Sequence, residues 1–333
     1  MESIFTHLQT TDVHIHDGIV LVEGKPLGVL CPSSLEGFGN ARNERMISGP
    51  KGLKKVDLDN AVDIVQALVA TGSILFGSAE DIDACKKLLL APETSRTASY
   101  LCAIAENCGA VCQAMENMHN ARVLIVGCGG IGALSAFNFA GAGVKHIKLI
   151  DDDTIEQSNM NRQFFWRSED IGQKKVAVLR RELQRRYHDL SIDVLDHKIT
   201  DDSICAAAQG YDLVLLTADE PLGIGDARLK QLASTGAIRM ITCGYFHANL
   251  SVTYVCGQSS ETWEGDYTWN RNPWFIGPSF GPSNTEIAGF AASLCLHALC
   301  FPESKNFNSP FVSHWSTDNF PRSATTYPRG VSQ

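Results

Sequence analysis

The sequence predicts an α/β protein built on a doubly wound, mostly parallel, Rossmann-like sheet, preceded by a small winged-helix-like unit. Three observations carry that expectation. From Arg122 onward, apolar runs alternate with helical periodicity, which places strands near 123–126, 146–150, 192–195, 212–216 and 238–242, with helices between most of them. The first run, Val123-Leu124-Ile125-Val126, breaks into Gly127-Cys128-Gly129-Gly130-Ile131-Gly132, a glycine turn that brings backbone amides and a helix N-terminus against a phosphate group. Before residue 91 the rhythm is different, with short strands, tight turns and two short helices.

The length, 333 residues, exceeds that of one ordinary domain, and the change of rhythm divides it into residues 1–90 and 91–333. In the first part, Val13-His14-Ile15-His16 and Ile19-Val20-Leu21-Val22 flank Asp17-Gly18, a hairpin dipeptide. A second turn is expected at Glu23-Gly24-Lys25-Pro26, followed by a glycine-rich loop. Val62, Val65, Leu68 and Val69 fall at helical spacing, and Ile82, Cys85, Leu88 and Leu89 repeat it behind a Ser78/Asp81 cap. Ala91 to Arg96 reads as a linker, and one helix is expected from there to about His119.

In the second part each strand of the alternation is short and apolar. Val252 to Pro282 breaks the pattern with Trp263, Trp269, Trp274 and Phe275 among Gly and Pro, and reads as a long loop in which packing is the expected role of the tryptophans. Ser283 and Glu286 have capping-box spacing ahead of an apolar helix stripe of Ile287, Phe290 and Leu294.

Composition excludes several classes of function. Hydrophobic residues make up 44% of the chain and charged residues 20%, which suits a soluble globular protein, and a net charge of -9 disfavours a nucleic-acid surface. The one basic run, Lys174, Lys175, Arg180, Arg181, Arg185 and Arg186, lies on one predicted helix and reads mainly as a solvated face. No secretory signal or membrane span is expected. Eleven cysteines, an odd number scattered through predicted elements, fit reduced thiols and a cytoplasmic location.

A glycine turn alone is shared by NAD, FAD and ATP proteins. Asp151, at the end of the second predicted strand, is placed to bind ribose hydroxyls, or to cap the next turn. The residues that follow are ones a plain dinucleotide fold does not need: Asp153, Asn159, Arg162, Gln163, Lys175 and Asp219.

Together, Val-Leu-Ile-Val-Gly127-Cys-Gly129-Gly130-Ile-Gly132, Asp151-Asp-Asp153-Thr-Ile-Glu-Gln-Ser-Asn159-Met-Asn-Arg162-Gln163, Asp170-Ile-Gly172-Gln173-Lys174-Lys175 and Thr217-Ala-Asp219 resemble the ThiF, MoeB and MccB family, relatives of ubiquitin-activating enzymes. The resemblance spans roughly residues 96–250. It implies ATP-dependent, magnesium-assisted adenylation of a carboxylate. It also implies that Asp151 holds the ribose, Arg162 and Lys175 the phosphates, and Asp219 the magnesium ion, with Asn159 and Gln163 alongside. Physical logic agrees, because a carboxylate attacking a phosphate meets like-charge repulsion that fixed cations and a metal must offset. Asp153 and Asp219 are hard oxygen donors suited to magnesium. Arg96 resembles the family arginine that reaches into the partner subunit's site, which implies a homodimer; a surface linker charge is the other reading.

Two departures shape the expectation further. Relatives carry paired C-x-x-C motifs for a structural zinc, and this chain has none, so no zinc is expected. Cys102, Cys108 and Cys112 share one predicted helix, and no thioester-forming cysteine can be assigned. The N-terminal unit occupies the place of the small peptide-clamp domain of the peptide-modifying branch, where a hairpin edge could take a leader peptide as an added strand. Likeness within that branch, strongest to the enzymes of pantocin biosynthesis, implies activation of a glutamate side chain on a ribosomally made precursor, with cyclisation in antibiotic biosynthesis. The rival readings are an NAD-dependent oxidoreductase using the same glycine turn, and a non-catalytic scaffold subunit.

Overall fold

The computed structural model describes residues 5, 13–38, 45–57, 60–218, 226–256, 271–320, 322–323 and 325–328. The chain divides into two compact units, Met1–Glu116 and Asn117–Gln333. The expected boundary after residue 90 therefore meets a first unit that runs further.

In the first unit, strands β1 (Val13–His16), β2 (Ile19–Val22), β3 (Lys25–Leu30) and β7 (Ile74–Phe76) form an antiparallel sheet in the order β1-β2-β3-β7. Asp17 and Gly18 both have positive φ, as do Glu23 and Gly24, the backbone that matches strand twist in two-residue hairpins. Residues 31–57, expected as a loop, instead contain a second sheet of β4 (Leu35–Phe38), β5 (Arg45–Gly49) and β6 (Gly52–Val56). β4 and β6 are mostly exposed, and all three strands contain glycine and charged residues, so they lack the apolar alternation by which a strand is recognised. Helix α1 (Ala61–Ala70) is capped by Asn60, and α2 (Ala79–Leu90) by the predicted Ser78/Asp81 box. Val13, Val20, Ile47, Val56, Ile64 and Leu68 share one core, which joins both sheets to α1.

The expected single helix from the linker to His119 is two helices, α3 (Ser95–Ile104) and α4 (Cys108–Asn120). Ala105 turns extended and Asn107 Oδ1 accepts from the Ala110 amide at 2.8 Å, so a new N-cap restarts the chain. Cys102 thus lies on α3, apart from Cys108 and Cys112 on α4. The first unit extends through these helices because the Cys85 and Cys102 sulfurs meet at 3.9 Å and Cys108 Sγ lies 3.2 Å from the Leu75 carbonyl.

The second unit holds an eight-stranded sheet in the order β10-β9-β8-β11-β12-β13-β14-β15. Strands β8 (Arg122–Val126), β9 (His146–Ile150), β10 (Ser191–Leu195), β11 (Leu213–Leu216) and β12 (Arg239–Phe246) are parallel, within a few residues of the predicted spans. β8 is buried at four of five positions and β11 at all four, the continuous burial of strands covered on both faces. Between them lie α5 (Gly132–Ala142), α6 (Lys175–Arg186), α7 (Asp201–Ala208) and α8 (Asp226–Ser234). Leu124, Val126, Val214, Leu216 and Met240 pack with Ile204, Tyr211 and Leu229 in one core.

Beyond β12 the sheet turns antiparallel, with β13 (Asn249–Val255), β14 (Phe311–Ser316) and β15 (Thr325–Pro328). The predicted loop therefore starts later than Val252, because Val252 to Val255 belong to β13. Trp263 and Trp269 lie outside the described residues, while Trp274 is 89% exposed and does not pack as expected. Helix α9 (Gly281–Cys300) begins two residues before Ser283, with Pro282 in its first turn, a position proline favours. The Ser283/Glu286 box is consequently not formed. Glu286 instead accepts from the Trp315 indole at 2.7 Å and pairs with Arg322 at 3.1 Å. All eleven cysteines are free thiols.

Candidate functional site

A cavity of about 480 Å³ opens beyond the C-terminal ends of the parallel strands, where ligands of doubly wound sheets bind. Its floor is the glycine turn between β8 and α5. Gly127 has φ +93°, and a Cβ on it would lie 2.7 Å from the Ala218 amide nitrogen. A Cβ on Gly132 would lie 1.9 Å from the Gly127 carbonyl oxygen, so only glycine closes this turn. Thr217, just after β11, fixes the same carbonyl by donating its hydroxyl at 2.9 Å. A Cβ on Gly129, by contrast, would have only Gln163 Nε2 within 4 Å, at 3.6 Å, which leaves room beside the cavity.

Asp151 follows β9 and is 7% exposed. Its two carboxylate oxygens accept from the Cys128 amide at 2.5 Å and the Asp153 amide at 2.8 Å. It thus ties the glycine turn to the next loop and keeps a free lone pair on each oxygen. Burial pushes its carboxyl above the usual range, while Lys175 and the two amides pull the other way. Asp151, Asp152 and Asp153 bring carboxylate oxygens within 4.8 Å of one another, a hard donor set that fits magnesium shared with phosphates.

Lys175 opens α6 with its side chain 7% exposed, and Nζ donates to Asp153 at 2.7 Å. The loop from Asp151 to Lys174 is held by a bridge between Thr154 and Lys174 and by two short helical turns, Gln157–Asn159 and Ser168–Asp170. In it Asn159 accepts from the Glu156 amide at 3.1 Å and Gln163 from the Trp166 indole at 2.6 Å. Arg162 rests one nitrogen on the Ser158 carbonyl at 2.6 Å. Asp170 anchors the end of this loop to α6, accepting from Arg181 at 2.5 Å.

The structure therefore gathers Gly127, Gly129, Gly130, Asp151, Asp153, Asn159, Arg162, Gln163 and Lys175 around one cavity, with Gly132 shaping the turn beneath it. Asp219 lies outside the described residues; its neighbours Thr217 and Ala218 line the cavity. Arg96 is exposed on α3 of the first unit, whereas the lining comes from the second.

Lining residues that the sequence reading missed are Lys198, Gly244, Tyr245, Ser279 and Asn284. Tyr245 and Ser279 join their hydroxyls across the cavity. Asn284 had a readable signal, since it continues the buried stripe of Ile287, Ala288 and Ala291 as its polar member. Lys198 and Tyr245 carried none, because only the tertiary fold brings them here.

The ThiF family profile matches residues 105–325. The chain belongs to the ThiF family. Among curated relatives it is 36% identical to a molybdopterin-synthase adenylyltransferase of Salmonella typhimurium, over 38% of this chain and 54% of that protein. It is 34% identical to the Escherichia coli sulfur carrier protein ThiS adenylyltransferase, over 31% and 41% of the respective chains. The match spans between 20% and 54% of the length of such curated relatives. Among solved structures, Escherichia coli MccB with AMPCPP and MccA superposes with a TM-score of 0.69 at 20% identity, covering 91% of this chain and 97% of that one. PaaA superposes with a TM-score of 0.59 at 15% identity, covering 89% and 98%. These likenesses establish the fold, an α/β architecture on a large, mostly parallel sheet. Among the described residues no helix is long and apolar enough to cross a membrane.

Proposed function

We propose that the protein is an ATP- and magnesium-dependent adenylyltransferase that activates a carboxylate, a glutamate side chain, on a ribosomally made precursor peptide. Activation leads to cyclisation in peptide antibiotic biosynthesis. The observation that carries this reading is the convergence of the buried Lys175, Arg162 and an acidic triplet on one glycine-turn cavity. A nicotinamide enzyme would use the turn and Asp151 but would have no use for the cations and the acidic triplet together. A scaffold would have no use for any of them.

In the first step a carboxylate oxygen of the peptide attacks the α-phosphorus of ATP. The bond from that phosphorus to the α,β-bridging oxygen breaks, and pyrophosphate leaves. In the second step a backbone amide nitrogen attacks the acyl carbon and loses its proton, and AMP departs with the electron pair of the broken C–O bond. The ring closes with net loss of water. No nucleophilic side chain is needed, because positioning and charge neutralisation do the work.

Within this reading Asp151 offers its remaining lone pairs to the ribose hydroxyls. Lys175 and Arg162 meet the phosphates, with Asn159 and Gln163 bracing the loop that carries Arg162. Asp153 and Asp219 hold magnesium, which when bound neutralises charge on the phosphate chain and the departing pyrophosphate. The Lys175–Asp153 pair keeps each charge neutralised until nucleotide and metal divide it. Arg96 acts from the partner subunit of a homodimer, and no structural zinc is required.

Residues 1–90 are proposed as the peptide clamp. Outer strands of antiparallel sheets accept an added strand, and among the described residues β1, β7, β4 and β6 are the outer strands of the two sheets in the first unit. MccB has been solved with ATP and, separately, with N-formylated MccA, which supports looking for both ligands here.

The test is ATP–pyrophosphate isotope exchange with short peptides encoded beside the gene. Peptide-stimulated exchange is expected, abolished by Asp219→Ala. Absence of exchange together with NAD binding would overturn the reading. Deleting residues 1–90 should weaken peptide binding and leave ATP binding detectable.

A further inference from the structure

Asn284 is the fourth residue of α9, 3% exposed, and lines the nucleotide cavity. Its Nδ2 lies where a Cβ on Gly130 would come within 2.3 Å, and that same Cβ would be 3.3 Å from the Arg162 carbonyl oxygen. The amide group is therefore packed against the phosphate-binding turn at Gly130, which the backbone of the arginine proposed to meet the phosphates also approaches. Its Oδ1 is buried with no hydrogen-bond partner. A buried acceptor left unpaired costs stability. On a helix face otherwise made of Ile287, Ala288, Ala291 and Ala292, alanine would avoid that cost. Gly130 lacks a side chain where this asparagine needs the space.

The unpaired atom restricts its partner. An acceptor is satisfied by an N–H or O–H group or by a cation, and neither phosphate oxygens nor an ionised carboxylate supplies one. Of the ligands in the proposed reaction, magnesium has Asp153 and Asp219, the ribose hydroxyls have Asp151, and the adenine amino group lies at the far end of the nucleotide from its phosphates; the donor left for a group beside Gly130 is the peptide amide that attacks in the second step.

We infer that Asn284 is a positioning and specificity residue for the peptide substrate: Oδ1 accepts from the attacking amide N–H. One side chain thus holds the nucleophile beside the activated acyl group. The inference rests on the adenylation reading and names the part of the peptide that the cavity recognises.

The experiment compares wild type, Asn284→Ala and Asn284→Asp in three measurements: thermal unfolding of the free protein, binding of α,β-methylene-ATP with magnesium, and the peptide dependence of pyrophosphate exchange. For Asn284→Ala the free protein should unfold at the wild-type temperature or higher, with analogue affinity within about threefold. The peptide concentration for half-maximal exchange should rise about tenfold, the loss expected for one hydrogen bond. Asn284→Asp keeps the acceptor but sets a negative charge against the phosphates, so it should lose analogue affinity about tenfold or more. A drop in unfolding temperature with parallel loss of analogue and peptide would show a structural plug and overturn the inference. So would an unchanged peptide dependence. Failure of the wild type itself to bind the analogue would instead sink the adenylation reading, and this inference with it.

Discussion

Two glycines, one from each unit, serve opposite purposes. In the hairpins of the first unit, Gly18 has φ +73° and a Cβ added to it would meet nothing within 4 Å; the residue is there for its backbone angle. In the glycine turn of the second unit, Gly132 needs no unusual φ, yet a Cβ on it would collide with the Gly127 carbonyl. It is there for space. The first kind of glycine shapes a strand connection that other turn formers can replace. The second lets two backbone segments approach to a distance that no side chain permits, which closes the turn beneath the cavity.

The sharpest way to break this contrast is Gly132→Ala. The clash is with backbone, which cannot swing aside, so the turn must open. We expect a loss of about 4 kcal/mol or more, or no folded second unit, in thermal unfolding, together with loss of nucleotide binding. A variant with wild-type stability and affinity would remove the basis for assigning the turn.

Lys175→Met should come next, lowering pyrophosphate exchange about 100-fold, as for removal of a preorganised charge partner. It also bears on pH. Burial already raises the Asp151 carboxyl, and Lys175 counteracts it. A raised carboxylate contributes stability at low pH that is lost as pH rises through its folded value, and a protonated Asp151 offers the ribose a poorer acceptor. Removing Lys175 raises the carboxyl further, so the acid limb of nucleotide binding should move to higher pH.

Arg181→Met probes the anchor of the same loop. Burial pushes the Asp170 carboxyl up, but the Arg167 amide and the Arg181 guanidinium outweigh it and hold it below the usual range. Such a depressed group contributes stability above the ordinary carboxylate value and loses it as pH falls through the depressed one. The variant should therefore cost about 2 kcal/mol at pH 7, with the difference shrinking on acidification. Chemical denaturation over a pH series would show it.

The smallest effect belongs to the other unit. Gly18→Asn, a residue that tolerates positive φ, should change stability by no more than about 0.5 kcal/mol and leave nucleotide binding untouched. A large loss would mean that the hairpin glycine is also packed against something.

The same contrast explains what the sequence made legible. The parallel strands announced themselves because burial on both faces demands unbroken apolar runs such as Val123–Val126 and Leu213–Leu216. The site's glycines and charges were legible because they cluster directly after those strands. The β4–β5–β6 sheet was not, since it buries few positions beyond Ile47 and Val56 and carries Glu36, Lys54 and Lys55 where alternation would be sought. The β13–β14 pairing was hidden by separation in the chain, with β14 reaching β13 only after the whole of α9. Tyr245, Ser279 and Lys198 enter the cavity through tertiary packing alone, with no local spacing to betray them. Asn284 differs, because an amide set in an apolar helix stripe is itself a local anomaly.

The central claim, that this cavity drives a carboxylate onto the α-phosphate of ATP, is tested most directly by oxygen transfer. A peptide that stimulates exchange would be prepared with its glutamate side-chain carboxylate labelled with ¹⁸O, and the released nucleotide analysed by mass spectrometry. Adenylation followed by ring closure predicts one ¹⁸O atom in AMP. Unlabelled AMP, or label in inorganic phosphate with ADP as the nucleotide product, would contradict it.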